Sequence, residues 1–245
     1  MADQHNSGLA PAVRDKLAGV SISCIANCLL RRGFRNVYMA GVRPLDASQP
    51  RLVGPAFTLR FIPAREDVDS LANYASDENI HRRAVEECPP GAVLVIDAQG
   101  CLRASSAGDL MVGRLQARGA AGIVTDGGFR DTGPMRRLGF PAYHRQPTTQ
   151  ATPIAMHPLE LNRPIGCAGV AVYPGDVLVG DEDGIVVIPR HVVAEIAAEA
   201  EGVEDFENFA EREIAKGRSI FGLFPPSEAT RKEYEDWVAR GRPGD

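Results

Sequence analysis

Two carboxylates and a guanidinium are spaced along one stretch of the chain in a pattern that suggests metal and anion chemistry. Asp109 opens a helical segment, whereas Arg130 and Asp131 follow a small apolar strand (121–125) and a glycine turn. A strand–helix–strand unit would bring both ends of this stretch to one edge of a sheet, where ligands of open α/β proteins bind. Carboxylate oxygens suit hard divalent cations, and arginine suits an anionic substrate. The stretch therefore predicts an oxygen-ligated metal beside an anionic ligand.

Each of these residues also has an ordinary structural interpretation. Arg130 and Asp131 can form a local ion pair or cap a helix, and Asp109 can serve as an N-cap. Taken one at a time, these interpretations are the simpler ones. The spacing of all three residues together with the Asp-Gly-Gly turn favours a functional site.

The elements that must position these residues follow from the hydrophobic pattern. The continuous apolar run at 93–96 predicts a strand covered on both faces, and it ends at Asp97. The strand at 121–125 ends in the same way before Asp126, which predicts that the two strands are parallel neighbours. The pattern predicts further helices at 9–33, 79–88 and 110–118, β-rich segments at 38–62 and 140–190, and a helical tail at 191–245.

Composition and charge narrow the class of protein. The chain has 245 residues, of which 44% are hydrophobic and 24% charged, as is usual for globular proteins. Its net charge is −5, and no basic run exceeds two adjacent arginines, so we expect no nucleic-acid binding. The pattern contains neither a membrane span nor a signal peptide, so we expect no membrane partner and a cytoplasmic location.

Several side chains that resemble metal ligands are predicted to be structural instead. The five cysteines contain no CxxC pair, which argues against a disulfide framework or a zinc knuckle. Cys24 and Cys28 have helical spacing and are expected to be buried as small apolar residues. Asp176, Asp181 and Asp183 lie in Asp-Gly segments that favour turn formation.

The scarcity of lysine limits the chemistry that the motif can perform. Lys16, Lys216 and Lys232 are the only lysines, and all lie in the terminal regions. Schiff-base chemistry at a core lysine is therefore improbable, which leaves a metal ion as the expected means of stabilising negative charge. The chain also lacks a Walker A loop, a dinucleotide fingerprint and a G-x-S-x-G elbow.

Several motifs resemble those of the regulator of ribonuclease E activity A-like superfamily, over about residues 20–192. They are GDL, ARGAAGIVTDGGFRD, the following FP, and later GVAVYPGD and DEDGIVVIP. The enzymatic branch of that superfamily contains 4-hydroxy-4-methyl-2-oxoglutarate aldolases that also act on 4-carboxy-4-hydroxy-2-oxoadipate. An aspartate, twenty intervening residues and an Arg-Asp pair mark that branch, and Asp109, Arg130 and Asp131 match this spacing. The ribonuclease-regulating branch lacks the complete acidic set, so the match favours an enzyme.

The resemblance implies the fold and the assembly. It implies an α/β fold, with a layered β/β/α domain of the ribonuclease-regulator-A-like type and a C-terminal helical extension. We expect a single catalytic domain at 1–192, with its core at about 20–190, and the extension at 193–245. The resemblance further implies a homotrimer or homohexamer with active sites at the subunit interfaces.

The resemblance also implies roles for the residues of the motif. Asp131 would hold Mg²⁺ or Mn²⁺, with Asp109 helping through water, and Arg130 would bind the pyruvyl part of a 2-oxo acid substrate. The backbone amides at the helix start after Gly108, those of Leu110 and Met111, would bind the substrate carboxylate.

These roles describe a metal-dependent lyase acting on a 4-hydroxy-2-oxo acid, with oxaloacetate decarboxylation as a related activity, since both reactions pass through the enolate of pyruvate. The alternative is a non-enzymatic regulator that binds a ribonuclease. The distal half of the substrate would be contacted by variable regions or a neighbouring subunit, with Arg60, Arg65 and His81 as candidates. His81, alone on its helix, is more simply a structural residue.

Overall fold

The structure, a computed structural model that describes residues 8–242, is built around one large mixed sheet. The helices are α1 (Pro11–Ala18), α2 (Ile22–Arg31), α3 (Leu71–Ala75), α4 (Ile80–Glu87), α5 (Asp109–Ala117), α6 (Thr132–Arg137), α7 (Val193–Ala215) and α8 (Glu228–Ala239). The strands are β1 (Arg43–Pro44), β2 (Leu52–Pro63), β3 (Val93–Asp97), β4 (Ser105–Ala107), β5 (Gly122–Thr125), β6 (Gly128–Phe129), β7 (Ala142–His144), β8 (Gln146–Pro147), β9 (Met156–Leu161), β10 (Ile165–Cys167), β11 (Val170–Val172), β12 (Val177–Asp181) and β13 (Gly184–Ile188). Short 3₁₀ turns span Thr152–Ile154 and Arg190–Val192.

Four parallel strands, in the order β2, β3, β5 and β7, form the centre of the sheet. Val95 of β3 lies opposite Thr58 on one side and Val124 on the other. The prediction that the strands before Asp97 and Asp126 are parallel neighbours is therefore confirmed. Their carboxyl ends share one edge of the sheet.

Antiparallel strands extend the sheet on both sides. The long strand β2 pairs with β12 through its first residues and with β9 through its last ones, and β13 and β1 form the two ends of the order. Two small sheets accompany it, β10–β11 and β4–β6–β8. The second of these sheets carries the motif residues.

Both faces of the central strands are covered, as the continuous apolar run predicted. Leu94 and Ile96 point to a core that includes helices α4 and α5, whereas Val93 and Val95 point to a core shared with β10 and β11. All four side chains are fully buried. This alternation produces the layered β/β/α arrangement expected from the resemblance.

The amino-terminal segment differs from the single helical stretch expected at 9–33. It forms two helices, α1 and α2, that are separated at Gly19–Ser21. Ser21 adopts an extended backbone, and its side chain accepts a hydrogen bond from the Cys24 amide. An N-cap serine starts a new helix in this way, so the break follows from local capping that the apolar spacing does not report.

The C-terminal helical extension is present as predicted, although its domain boundary at 192 remains a prediction. Ile196 and Ala200 on α7 pack against α1 and α2 in the main body. Further along, Phe209 forms a small separate cluster with Trp237 of α8. Phe221, between α7 and α8, is 90% exposed. Within residues 8–242, no helix has the length and apolar character needed to cross a membrane.

Candidate active site

Pairing of two short strands brings the ends of the motif together. β4 runs parallel to β6, with Ala107 opposite Phe129. The Arg130 amide donates a hydrogen bond of 3.1 Å to the Ala107 carbonyl. The residues that follow each strand are therefore adjacent, which places Gly108 beside Arg130 although 21 positions separate them in the sequence.

Gly108 leaves the space in which the Arg130 and Asp131 side chains lie. A Cβ atom built on Gly108 would lie 2.8 Å from Asp131 Oδ2 and 3.0 Å from Arg130 Nε. Its φ of −130° and ψ of −178° are open to any residue. Glycine therefore leaves room for the Arg130 and Asp131 side chains to pack directly over the helix entry, and any larger residue would displace them.

Asp131 has an unusual backbone conformation and a carboxylate that caps no helix. Its φ of 55° and ψ of 37° place it in the left-handed region, which non-glycine residues seldom adopt. It precedes α6, yet its side chain makes no capping hydrogen bond. Its Oδ2 lies 3.3 Å from Arg130 Nε, and both side chains are 44% exposed. The local ion pair considered above is therefore formed, with the carboxylate open to solvent.

Asp109 and the start of α5 lie next to this pair. Asp109 is the first residue of α5, and its Oδ1 accepts a hydrogen bond of 2.8 Å from the amide of Leu110. The side chain of Leu110 is 84% exposed, whereas Met111 is half-buried. No side chain caps the helix at Gly108. The Leu110 side chain at the helix entry is thus exposed, and its amide is bound by the Asp109 carboxylate.

The sequence interpretation assigned no role to two residues near the motif, His144 and Asp126. His144 Nδ1 accepts a hydrogen bond of 3.3 Å from the Phe129 amide, and its ring stacks on Phe129 at 5.2 Å. Asp126 is buried and accepts hydrogen bonds from the amides of Ala98, Gly100 and Ala168. His144 thus orients the strand that ends at Arg130. The acid at the strand end was visible in the sequence, whereas the histidine carried no local signal.

The candidates for contacts with the distal half of the substrate have separate environments. Arg60 forms an ion pair with Glu160 on the adjacent strand β9, at 3.0 Å. Arg65 is exposed and pairs with Asp67. His81 is fully buried, with its ring 5.1 Å from that of Phe61. His81 is thus a core residue, in agreement with the structural interpretation.

Burial makes His81 a source of acid sensitivity. Within residues 8–242 neither ring nitrogen has a well-formed hydrogen bond, and the Ser106 backbone compensates only in part. Desolvation lowers the pKa of His81 to about 4, and burial likewise lowers the pKa of His144 to about 4. Both imidazoles are neutral at neutral pH, so neither supplies positive charge to the site.

We expect His81→Met to reduce the loss of stability on acidification. His81 is protonated below about pH 6.5 in the unfolded chain but only near pH 4 in the folded chain. The contribution of neutral His81 to the free energy of unfolding is therefore complete above about pH 6.5 and falls as the pH is lowered. At about pH 5 the loss from this residue is on the order of 2 kcal/mol. Urea unfolding of the wild type and of His81→Met at about pH 7.5 and 5 measures this loss of stability. Equal losses in the two proteins would contradict the assignment of acid sensitivity to His81.

The oxygen atoms at the site fit a hard divalent cation. Asp109 and Asp131 each offer a carboxylate near the start of α5, and within residues 8–242 neither belongs to a group of three metal-ligating side chains. Mg²⁺ commonly binds through one or two carboxylates and keeps several waters, leaving positions for a substrate. Mn²⁺ accepts similar ligands. The two carboxylates thus suit Mg²⁺ or Mn²⁺ bound partly through water.

Comparison with known proteins shows likeness along most of the chain. A family model described as RraA-like, Aldolase/RraA, matches residues 11–187. A protein of Halalkalibacterium halodurans, provisionally named 4-hydroxy-4-methyl-2-oxoglutarate aldolase, is 33% identical over 200 residues, which cover 80% of this chain and 85% of that protein.

Solved structures agree with this likeness. Streptomyces coelicolor RraAS2, described as an unusual member of the RNase ES inhibitor RraA protein family, has a TM-score of 0.73 and 33% identity, covering 84% of this chain and 98% of that one. An uncharacterised protein of Pseudomonas syringae has a TM-score of 0.79 at 23% identity, covering 91% of this chain and 97% of that one. The likeness to the Pseudomonas syringae protein supports the fold alone.

Proposed function

This chain belongs to the RraA-like aldolase/RraA family, and on that basis we propose that it is a divalent-metal-dependent lyase that cleaves a 4-hydroxy-2-oxo acid to release pyruvate. The observation that carries the proposal is the packing of Arg130 and Asp131 against Gly108 at the start of α5. This packing supports the proposal because the Arg130 guanidinium, the Asp131 carboxylate and the amino terminus of α5 lie close together, as binding of one small anionic ligand beside a metal would require.

The bond changes define what the site must stabilise. The 4-hydroxyl group loses a proton, the bond between C3 and C4 breaks, and its electron pair passes to C3 and the 2-keto oxygen. Protonation of C3 then gives pyruvate, and C4 becomes a carbonyl carbon. Negative charge therefore develops on the 2-keto oxygen, and the enzyme is expected to place positive charge there.

Arg130 is the residue that we assign to this charge. Its guanidinium is permanently charged and presents several donors in one plane, so it can bind the keto oxygen and the adjacent carboxylate oxygen together. Asp131 would hold the cation, with Asp109 acting through water. When bound, Mg²⁺ or Mn²⁺ would supply Lewis-acid polarisation of the keto group.

The substrate carboxylate is assigned to the start of α5. The first amides of a helix lack intrahelical partners and attract anions. The Leu110 amide donates to Asp109 in the absence of a ligand. Rotation of the Asp109 carboxylate toward the cation would release this amide, and Met111 would supply the second donor. Asp109 would thereby couple metal binding to substrate binding.

The positions of the lysines support a metal over a Schiff base. Lys16 pairs with Glu201 and Lys216 with Glu213, on helices outside the motif. The buried imidazoles of His81 and His144 have lowered pKa values and structural contacts. Neither imidazole is therefore assigned as the base, and Mg²⁺ or Mn²⁺, when bound, would supply that chemistry.

The direct test is pyruvate release from 4-hydroxy-4-methyl-2-oxoglutarate and from oxaloacetate, with Mg²⁺, with Mn²⁺ and after chelation. We expect release that requires a metal, and cleavage of the first compound should yield two pyruvates per molecule. Failure to release pyruvate from either compound with either metal would contradict the lyase proposal.

Arg130→Lys is expected to lower kcat/KM by about 10²-fold, because lysine retains the charge but loses the planar pair of donors. Steady-state pyruvate release with saturating Mg²⁺ measures the effect. Arg137→Lys, on the exposed side of α6, is the matched control and should retain wild-type kcat/KM. Equal rates for Arg130→Lys and the wild type would exclude a specific guanidinium role.

Regulation of a ribonuclease is the second candidate function. It is supported by 33% identity to RraAS2, which is described as a member of an RNase ES inhibitor family. Co-precipitation with an RNase E-type ribonuclease tests it. If the chain is a regulator, Arg130→Ala should preserve this binding, whereas in a lyase the same substitution should abolish pyruvate release.

Assembly into a homotrimer or hexamer is also proposed. Within residues 8–242, Asp109 and Asp131 belong to no group of three metal-ligating side chains, and the adjacent Leu110 side chain is 84% exposed, so a second subunit would both cover the leucine and complete the site. Light scattering during size-exclusion chromatography measures the mass. Substitution of Leu110 with aspartate is expected to shift that mass toward the monomer.

A further inference from the structure

A thiol and two carboxylates meet between α2 and α7, in a part of the core separate from the motif. The ligand atoms of Cys24, Glu204 and Glu207 all lie within 4.8 Å of one another. Cys24 is 1% exposed, and both glutamates are half-buried. The cysteine was expected to be an inert apolar residue, and its burial is confirmed, but its carboxylate neighbours are 180 positions away in the sequence and could not be anticipated.

The two carboxylates lack the cationic partners that other acids on α7 have. Glu199 accepts two hydrogen bonds from the Arg31 guanidinium. In the described part of the chain, Glu204 accepts hydrogen bonds from the amide and hydroxyl of Ser21, at 3.2 and 3.1 Å. Within residues 8–242, no ion pair joins Glu204 or Glu207 to a basic side chain.

We propose that Cys24, Glu204 and Glu207 form a binding site for Zn²⁺ that links α2 to α7. A thiolate selects a borderline-soft ion over Mg²⁺ or Ca²⁺, and Zn²⁺ accepts sulfur and carboxylate oxygen in one tetrahedral site. Ligand atoms around such an ion are roughly 3.5 Å apart, given Zn–S and Zn–O distances of about 2.3 and 2.0 Å. The ligand atoms of the present cluster, all within 4.8 Å of one another, are close to that spacing.

Water is assigned to the fourth position. Cys28 lies one helical turn after Cys24, but its thiol accepts a hydrogen bond of 3.1 Å from Arg31 Nη2. Binding of Zn²⁺ would displace the thiol proton of Cys24, and the ion would offset the charge of the two glutamates. The linked helix α7 also carries Phe209 of the C-terminal cluster. The ion would thus fix the helix that leads to the extension.

Co²⁺ substitution tests the site with a signal that only a thiolate ligand produces. The full-length protein is stripped of metal and titrated with Co²⁺, and a sulfur-to-metal charge-transfer band in the near ultraviolet is expected at one equivalent. Cys24→Ser and Glu207→Gln should each lose this band. Cys101→Ser removes a partly exposed thiol elsewhere and should keep it. Asp131→Asn should also keep it, because carboxylate ligation at the motif gives no such band.

Zinc binding should also be visible in stability. Added Zn²⁺ is expected to raise the Tm of the stripped wild-type protein by about 5 °C and to leave Glu207→Gln unchanged. Glu207 is half-buried, so its amide replacement preserves the fold, as circular dichroism can verify. Absence of the charge-transfer band in the wild type, or its persistence in both Cys24→Ser and Glu207→Gln, would overturn the proposal.

Discussion

Asp131→Asn is expected to lower kcat/KM for pyruvate release by about 10³-fold while leaving the fold intact. Asparagine has the same shape as aspartate and tolerates the left-handed backbone observed at this position, with φ of 55°. The substitution therefore removes the negative charge without adding backbone strain. Loss of that charge should weaken the cation site and leave Arg130 without its carboxylate partner.

The matched control is Asp183→Asn. Asp183 is an exposed aspartate in the turn between β12 and β13, and its backbone amide donates to Asp181. It is one of the acids that the sequence assigned to turn chemistry, so its amide variant should retain wild-type kcat/KM. Mn²⁺ binding followed by electron paramagnetic resonance separates metal loss from other defects. Wild-type turnover in Asp131→Asn would remove this residue from the mechanism.

Gly108→Ala is expected to lower kcat/KM by about 10²-fold or more with only a modest change in stability. The new Cβ would lie 2.8 Å from Asp131 Oδ2 and 3.0 Å from Arg130 Nε, which is too close for either contact. The two side chains are partly exposed, so they can move away without disturbing the core. The substitution should therefore displace the two side chains from their positions over the helix entry and leave the core unchanged.

Gly113→Ala provides the same chemical change one turn further along α5. A Cβ at Gly113 meets only Leu138 Cδ1, at 4.0 Å, so alanine fits there. Alanine in a helix interior is favoured by about 0.5–1 kcal/mol, and this variant should be equally active and slightly more stable. Parallel measurement of kcat/KM and urea unfolding distinguishes the two glycines. Equal activity of both variants would show that the packing at Gly108 has no catalytic role.

Much of the scaffold was predictable because its signals are local. The apolar run at 93–96 produced the doubly covered strand β3, and Asp176 forms the expected turn contacts with the amides of Tyr173 and Arg190. The helix break at Gly19–Ser21 was missed because apolar spacing continues across it. Capping by a single serine outweighed that spacing.

The candidate site was predictable only as a set of residue types. The acids and the arginine stand out in the sequence, and their spacing carries the family resemblance that the comparisons confirm. The role of His144 in holding Phe129 was not visible, since it depends on the order of strands in a small sheet. The individual roles of the motif residues remain proposals that the variants above test.

The sequence by itself determined which residues alternate, which turns break the elements and which chemical groups the motif contains, because these properties depend on neighbours a few positions apart. Only the tertiary structure decided which distant residues are in contact. The pairing of β4 with β6 places Gly108 under Arg130 and Asp131, and the packing of α7 on α2 places Glu204 beside Cys24. Such contacts form when whole faces of helices and sheets are buried. The favourable free energy of this burial is the sum over many residues, so no single residue predicts the contact.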